Sequence, residues 1–306
     1  MESSRTGFDE WLKERFPSER IRFQEPMSFH TTFRVGGPAR YMAMPADEEE
    51  IRLLIRQCRR VDLPWFVVGN GSNLLVSDQG YDGLIIKLGR QYSRLFADGL
   101  EIRAQAGVML SRLARQAAFH NLAGLAFAAG IPGTLGGGLM MNAGAYGGEL
   151  SQVVKAVRVL DGDGQFRVLT AEQMKFGYRT SVLKEKGMIA LEAVLSLGPG
   201  DQEEQLQEME ELNRKRREKQ PLEYASAGST FKRPEGHFAG QLIEQAGLKG
   251  LSVGDAQVSE KHCGFVINRG NATAAEIYTL CRRVQERVYE QFQVELTMEV
   301  RLLGEF

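Results

Sequence analysis

Residues 129–148 read AGIPGTLGGGLMMNAGAYGG, with glycine at 130, 133, 136, 137, 138, 144, 147 and 148. Residues that lack Cβ let backbone N–H groups crowd against a large anionic ligand. A shorter loop, Gly69-Asn70-Gly71-Ser72-Asn73, follows the apolar run Pro64-Trp65-Phe66-Val67-Val68 and repeats the pattern. Either loop alone is compatible with a tight turn. The two together point to a dinucleotide cofactor with a pyrophosphate. The shorter loop is not a Walker A motif, which needs Gly-x-x-x-x-Gly-Lys-Ser/Thr. Nor is it a Rossmann fingerprint, because position 74 is leucine where a third glycine would open a helix. The anion would then sit among loop amides, with Asn70, Ser72, Asn73, Thr134 and Asn142 adding side-chain donors.

The composition sets outer limits. The chain has 306 residues, 43% hydrophobic and 25% charged, an ordinary globular mixture with room for roughly two or three domains. A net charge of −1 supplies no global field for nucleic acid or an anionic membrane. No basic stripe with interleaved aromatics argues for nucleic acid either. No apolar run approaches the ~20 residues of a membrane span. The segment Met1 to Gly7 leads into no apolar signal core, so a cytoplasmic location is expected. Cys58, Cys263 and Cys281 are odd in number and scattered, as for reduced thiols. His30, His120, His237 and His262 have no metal-ligand spacing, and no metal site is expected.

Hydrophobic periodicity outlines the elements. A short amphipathic helix is expected over 6–17, carrying Trp11, Leu12 and Phe16. Asp47 and Glu50 stand at capping-box spacing before a helix whose face holds Ile51, Leu54, Ile55 and Cys58. Strands are expected at 64–68 and 83–88, closing a β-α-β unit near residue 90. A strand at 100–106 and a helix at 109–121, burying Leu110, Leu113, Ala117 and Ala118, precede the glycine-rich segment. Strands at 153–160 and 165–169 flank the hairpin signal Asp161-Gly162-Asp163-Gly164, and 188–197 forms another strand. Residues 201–220 run from acidic to basic, which suits a helix dipole, and Pro221 ends that helix. Most of those charges form a solvated face. Beyond it lie a helix at 238–246, a strand at 263–268, and a long helix opened by a Thr273/Glu276 capping box. Last comes an alternating strand from Val294 to Leu302 with Glu299 on its polar face.

Seven segments, kept in order, carry a family resemblance. They are Thr32-Phe33-Arg34-Val35-Gly36-Gly37-Pro38-Ala39, Gly69 to Asn73, Ala129 to Gly137, Asn142 to Gly147, Tyr178-Arg179-Thr180-Ser181, Ala227 to Lys232, and Leu296 to Arg301. Together they resemble the UDP-N-acetylenolpyruvoylglucosamine reductases of peptidoglycan synthesis, from about residue 20 to the C-terminus. The chain is similar to the shorter form, which lacks a tyrosine-bearing insertion. The resemblance implies an α+β chain. It would have a two-lobed FAD-binding fold of the vanillyl-alcohol-oxidase (PCMH) type and a C-terminal α+β substrate domain. The boundaries are then residues 1–95 for the first lobe, 96–204 for the second and 205–306 for the substrate domain. It further implies FAD as cofactor, NADPH as hydride donor, and a monomer. Arg34, Gly69, Asn70, Gly71, Ser72, Asn73, Gly130, Pro132, Gly133, Thr134, Gly137, Asn142, Gly144 and Ile189 are the implied cofactor contacts.

The implied reaction reduces the enol ether of UDP-N-acetylglucosamine enolpyruvate to a lactyl ether. Hydride addition to the vinyl carbon leaves negative charge on its neighbour, delocalised into the carboxylate. The site then needs a cation at the carboxylate and an acid at the carbanion. By resemblance, Arg179 is the cation, Ser229 the proton donor and Glu299 an electrophilic helper. Arginine suits a carboxylate because it offers two-point contact and keeps its charge. No Gly-x-Ser-x-Gly elbow surrounds Ser229, which argues against a hydrolase nucleophile. Tyr178, Lys219, Lys232 and His262 are the implied substrate contacts. Two places depart from the family pattern: Arg233-Pro234 replaces Asn-Pro, and His262-Cys263-Gly264-Phe265 replaces His-Ala-Asn-Phe. An alcohol or sugar oxidase of the same fold would often carry a flavin-linking histidine after paired glycines, where this chain has Gly36-Gly37-Pro38. A non-catalytic flavin or nucleotide binder would be expected to lack Arg179, Ser229 or Glu299.

Overall fold

The computed structural model describes residues 2–306. The chain packs into two compact units. One comprises the residues up to Phe23, Tyr41–Asn70 and Gly83–Lys215; the other comprises Gln24–Arg40, Gly71–Asp82 and Arg216–Phe306.

In the first unit, helices α1 (Glu2–Arg15), α2 (Glu48–Arg60), α3 (Leu110–Phe119), α4 (Leu135–Met141) and α5 (Val182–Lys186) pack on strands. Asp47 caps α2 as expected, its carboxylate accepting from Glu50 N at 2.8 Å. The reciprocal half of the capping box does not form. Glu50 accepts from Ala46 N at 2.7 Å and is held by two bonds from the Arg20 guanidinium, at 2.6 and 2.9 Å. A bidentate charged partner outcompetes a single backbone amide. Ile51, Leu54, Ile55 and Cys58 are all buried, so the helix face is the one the period indicated.

A four-stranded sheet has the order Ile21–Pro26, Pro38–Ala43, Tyr81–Lys87, Trp65–Val68. Its last two strands run parallel, from Trp65 opposite Leu84 to Val68 opposite Lys87. Leu84 and Ile86 are fully buried in the core with Ile51 and Leu54. Burial of each such side chain contributes about 1.5–3 kcal/mol. The second sheet has five antiparallel strands in the order Phe166–Thr170, Val154–Leu160, Ile189–Ser196, Glu101–Gln105, Leu95–Asp98. The hairpin signal holds: the Asp161 carboxylate accepts from Asp163 N and Gln165 N at 2.9 and 2.8 Å and pairs with Arg167.

The glycine-rich segment departs from a pure loop, because α4 runs through it. Propensity argues against a helix containing Gly136, Gly137 and Gly138. Close packing overrides it. A methyl group at Gly138 would meet Leu150 Cδ1 at 2.8 Å, and one at Gly136 would meet Ala106 Cβ at 2.9 Å. The first amides of α4, Leu135 N and Gly136 N, donate to Val108 O and Ala106 O at 2.7 and 2.8 Å. The helix ends at Asn142 in the left-handed region, φ 43°.

Helix α6 (Gln202–Lys219) leads into the second unit, where α7 (Ala239–Gln245) and α8 (Ala274–Phe292) pack on a sheet. The strand order is Ala225–Ser226, Val266–Asn268, Ala256–Val258, Ser252–Val253. The Thr273/Glu276 capping box forms in both directions, at 3.1 and 2.9 Å. Asp78 adds a tertiary cap, accepting from Ala274 N at 2.8 Å and Ala275 N at 2.9 Å. The expected strand over 263–268 is regular only from Val266. Of the alternating run 294–302, only its end is a strand, Arg301–Leu303, which pairs in parallel with Leu74–Val76. The preceding residues bond to the Thr230–Lys232 segment instead. The alternation survives in burial at Leu296 and Val300. Phe33, Leu75, Val258, Ile277, Leu280, Val284 and Leu296 build this unit's core.

Candidate active site

The short glycine loop divides between the units: Gly69 and Asn70 in the first, Gly71 to Asn73 in the second. In the first unit a side chain at Gly69 would collide with Thr134 Oγ1, so the backbone passes directly over that hydroxyl. A methyl at Gly137 would meet only the same oxygen, at 3.8 Å. Asn70 Nδ2 donates to Pro132 O at 2.6 Å and ties the two glycine loops together. Gly130 is half-buried, and Gly133 is buried with its carbonyl accepting from Leu110 N at 2.9 Å. Ile189 lies in the hydrophobic core at the start of its strand.

In the second unit Gly71 has φ +64°, and any Cβ there would strike the His30 carbonyl. Thr32 N donates to Gly71 O at 3.2 Å. The amides of Gly71 and Ser72 donate no backbone hydrogen bond among the described residues. Half-buried amides need an acceptor. Two of them in succession, beside the Ser72 hydroxyl and the Asn73 carboxamide, are donors of the kind a pyrophosphate satisfies. The residues present therefore fit FAD. Arg34 stands nearby in sequence, exposed and left-handed at φ 58°.

Arg179 sits at the tip of a tight turn in the first unit. Gly177 N donates to Thr180 O at 3.1 Å and Thr180 N to Gly177 O at 3.3 Å. Arg179 takes φ 55°, a conformation uncommon for non-glycine residues, and its guanidinium lies 5.6 Å from the exposed Tyr178 ring. Backbone held this way concentrates at functional sites. Asn142 Nδ2 reaches Gly177 O at 3.4 Å, and Asn142 Oδ1 accepts from Ser151 N at 2.9 Å. The Ser151 hydroxyl, Asn142 and then the Arg179 charge hold the Glu149 carboxyl below its usual range. A side chain on Gly144 would meet Glu149 Cβ at 2.8 Å. Asn142, Gly144, Tyr178 and Arg179 thus form one cluster, to which the structure adds Glu149. A lone glutamate in a glycine-rich run carried no signal for that role.

The second unit gathers the other candidates. Glu299 N donates to Thr230 O at 2.8 Å and Lys232 N to Thr297 O at 2.9 Å, so Ser229 to Lys232 run beside 297–299. Ser229 is exposed and Glu299 half-buried. Asn73 joins them, donating from Nδ2 to Glu299 O at 3.1 Å and accepting from Arg301 N at 3.1 Å. Thr230 is fully buried; its N donates to Gly264 O at 2.9 Å and its Oγ1 accepts from Val266 N at 2.9 Å. His262 Nδ1 in turn accepts from Gly264 N at 3.1 Å. The His262 ring packs edge-on against Phe265, 5.0 Å between centroids, and desolvation lowers its pKa. Lys219 ends α6, exposed; Lys261 Nζ bonds Arg217 O at 2.7 Å and holds that helix end beside the His262 loop. Where the family pattern has an amide, Arg233 lies 3.9 Å from the Phe238 ring. Thr230 was missed in the sequence, because its importance lies in burial rather than in spacing.

Among the described residues no helix is long and apolar enough to cross a membrane, and no group of three metal-ligating side chains occurs.

Comparison with known proteins agrees with this architecture. A family model described as "FAD binding domain" matches residues 39–170, and one described as "UDP-N-acetylenolpyruvoylglucosamine reductase, C-terminal domain" matches 220–303. The chain is 50% identical to the UDP-N-acetylenolpyruvoylglucosamine reductase of Caldanaerobacter subterraneus over 96% of its length and 97% of that protein. It is 49% identical to the Clostridium tetani reductase, over 96% and 95% of the two chains. The crystal structure of the Thermus caldophilus reductase superposes with a TM-score of 0.78 at 38% identity, covering 93% of this chain and 98% of that one. A 4-ethylphenol oxidase from Gulosibacter chungangensis, at 14% identity, shares the fold with a TM-score of 0.51 over 64% of this chain and 43% of its own. The chain is α+β, with an FAD-binding fold of the vanillyl-alcohol-oxidase type. Near-complete coverage at such identity makes this chain a member of the UDP-N-acetylenolpyruvoylglucosamine reductase family.

Proposed function

We propose that the protein reduces UDP-N-acetylglucosamine enolpyruvate to UDP-N-acetylmuramate, with NADPH as electron donor and FAD as resident cofactor. Family membership over nearly the whole chain is the observation that carries this reading. Bound FAD supplies the two-electron carrier between NADPH and the vinyl carbon. Arg179 holds the substrate carboxylate and stays charged as negative charge builds on the adjacent carbon. Ser229 donates its hydroxyl proton to that carbon. Glu299 assists at the carboxylate as a hydrogen-bonded acid. The hydrogen bond between Glu299 N and Thr230 O supports joint action of Ser229 and Glu299, because it fixes their segments side by side. Tyr178, Lys219, Lys232 and His262 orient the nucleotide sugar, and Lys219 meets its diphosphate as a point charge. Residues 1–95 and 96–204 serve chiefly the cofactor and 205–306 chiefly the substrate; the boundary near 205 rests on the change in charge pattern at 201–220 and that near 95 on the close of the β-α-β unit near residue 90. The enzyme works as a monomer in the cytoplasm, a location that fits three buried free thiols.

The test has two stages. NADPH added anaerobically should bleach the flavin of the purified protein. UDP-N-acetylglucosamine enolpyruvate should then restore the colour, while Ser229→Ala should bleach normally and stay bleached. Recovery at the wild-type rate in Ser229→Ala would remove the serine from the reaction. A native protein that does not respond would remove the activity.

A further inference from the structure

We infer that the Thr32 hydroxyl is a direct cofactor ligand, donating a hydrogen bond to the pyrophosphate of FAD at the Gly71–Asn73 loop. The inference rests on the reading of this chain as a flavoprotein and adds a contact to that reading. Thr32 Oγ1 is buried and has no hydrogen-bond partner among the described residues. A buried hydroxyl without an acceptor lowers stability, so such a group in a folded protein calls for an explanation.

The surrounding loop does not need this hydroxyl for its shape. Thr31 Oγ1 donates to Val35 O at 2.9 Å, and Arg34 N donates to Thr31 O at 3.2 Å. The buried Asn268 fastens the same loop, donating from Nδ2 to Phe33 O at 3.0 Å. Thr32 itself is tied through its backbone to Gly71 O. The Gly71 backbone passes so close under residues 30–31 that no side chain fits there. The hydroxyl is therefore held beside a loop whose amides also await an acceptor. A donor of one hydrogen bond next to unmet amides matches a phosphate oxygen better than a ring nitrogen.

Three full-length proteins test this: wild type, Thr32→Val, which keeps the shape and deletes the hydroxyl, and Thr32→Ser, which keeps the hydroxyl. The measurements are FAD dissociation by fluorescence of the released flavin, the visible spectrum of the flavin still bound, and the melting temperature of flavin-free protein. Thr32→Val should bind FAD about tenfold or more weakly, as for loss of one charge-assisted hydrogen bond. Thr32→Ser should stay within about threefold of wild type. The flavin-free Thr32→Val protein should melt at or above the wild-type temperature, since it no longer buries an unmet donor. Bound flavin should keep its spectrum. Wild-type affinity in Thr32→Val overturns the assignment. Weaker binding together with a lower flavin-free melting temperature also overturns it, because the threonine would then be structural. An altered spectrum in Thr32→Val moves the contact to the ring and overturns the phosphate assignment. A wild-type protein that binds no FAD defeats the flavoprotein reading itself.

Discussion

Lys87 shows how much one ammonium group can weigh on a fold. It ends the strand Tyr81–Lys87 opposite Val68, the residue before the Gly69 turn. Burial brings its pKa down to about 8. The unfolded chain holds its proton up to about 10.4, so stability rises with pH between about 8 and 10.4 and bears the full desolvation cost below 8. Lys87→Met should therefore stabilise flavin-free protein at pH 7 by about 1–3 kcal/mol, a gain that shrinks as pH rises from about 8 and is gone above about 10.4. Denaturant melts of both proteins at several pH values check this, and a gain independent of pH would contradict the burial argument. His262 acts in the same direction at lower pH. Its folded pKa is depressed, so the unfolded chain takes up a proton first. Stability should fall as pH drops through about 6.5. Protonation of Nδ1 would also remove the acceptor of Gly264 N. His262→Gln should flatten stability between pH 7 and 5, read from thermal melts.

Elements were legible where local and tertiary signals agreed. Helix α8 announced itself through Thr273, Glu276 and the stripe of Ile277, Leu280, Cys281, Val284 and Val288, all of which are buried. Helix α4 was hidden, because its glycines argue for a loop until Leu150 and Ala106 are seen against them. The strand expected over 294–302 was overlong. Its period was right, but strand pairing depends on partners that a period does not name. The catalytic candidates Ser229 and Glu299 were readable as motifs, whereas Thr230 was not: its N and Oγ1 bond the 264–266 segment and its O accepts from Glu299 N. The tertiary cap on α8 was equally silent in sequence. Asp78→Ala leaves Ala274 N and Ala275 N without their acceptor and should cost about 1–2 kcal/mol. Amide exchange at those residues should quicken, while the middle of α8 keeps its protection.

Across the whole chain, each unit is assembled from separated segments. Phe33, Val35 and Leu75 belong to a core otherwise made from residues after 226. Sequence reading proposes contiguous blocks, because periodicity reports which side of an element is apolar and not what covers it. A chain ending at Lys219 would keep those three side chains and lose the helices and strands that bury them. It should be insoluble, or bind a hydrophobic dye strongly, in a side-by-side expression test with the full chain.

The parallel pairing of Leu74–Val76 with Arg301–Leu303 has a consequence for biosynthesis. Asn73 and Glu299, bonded in the finished protein, are 226 positions apart. At about 5–20 residues per second, a ribosome needs roughly 10–45 s to make the stretch between them. For that interval the early strand waits on the nascent polypeptide with its mate not yet translated, and it closes only after residues 301–303 have emerged.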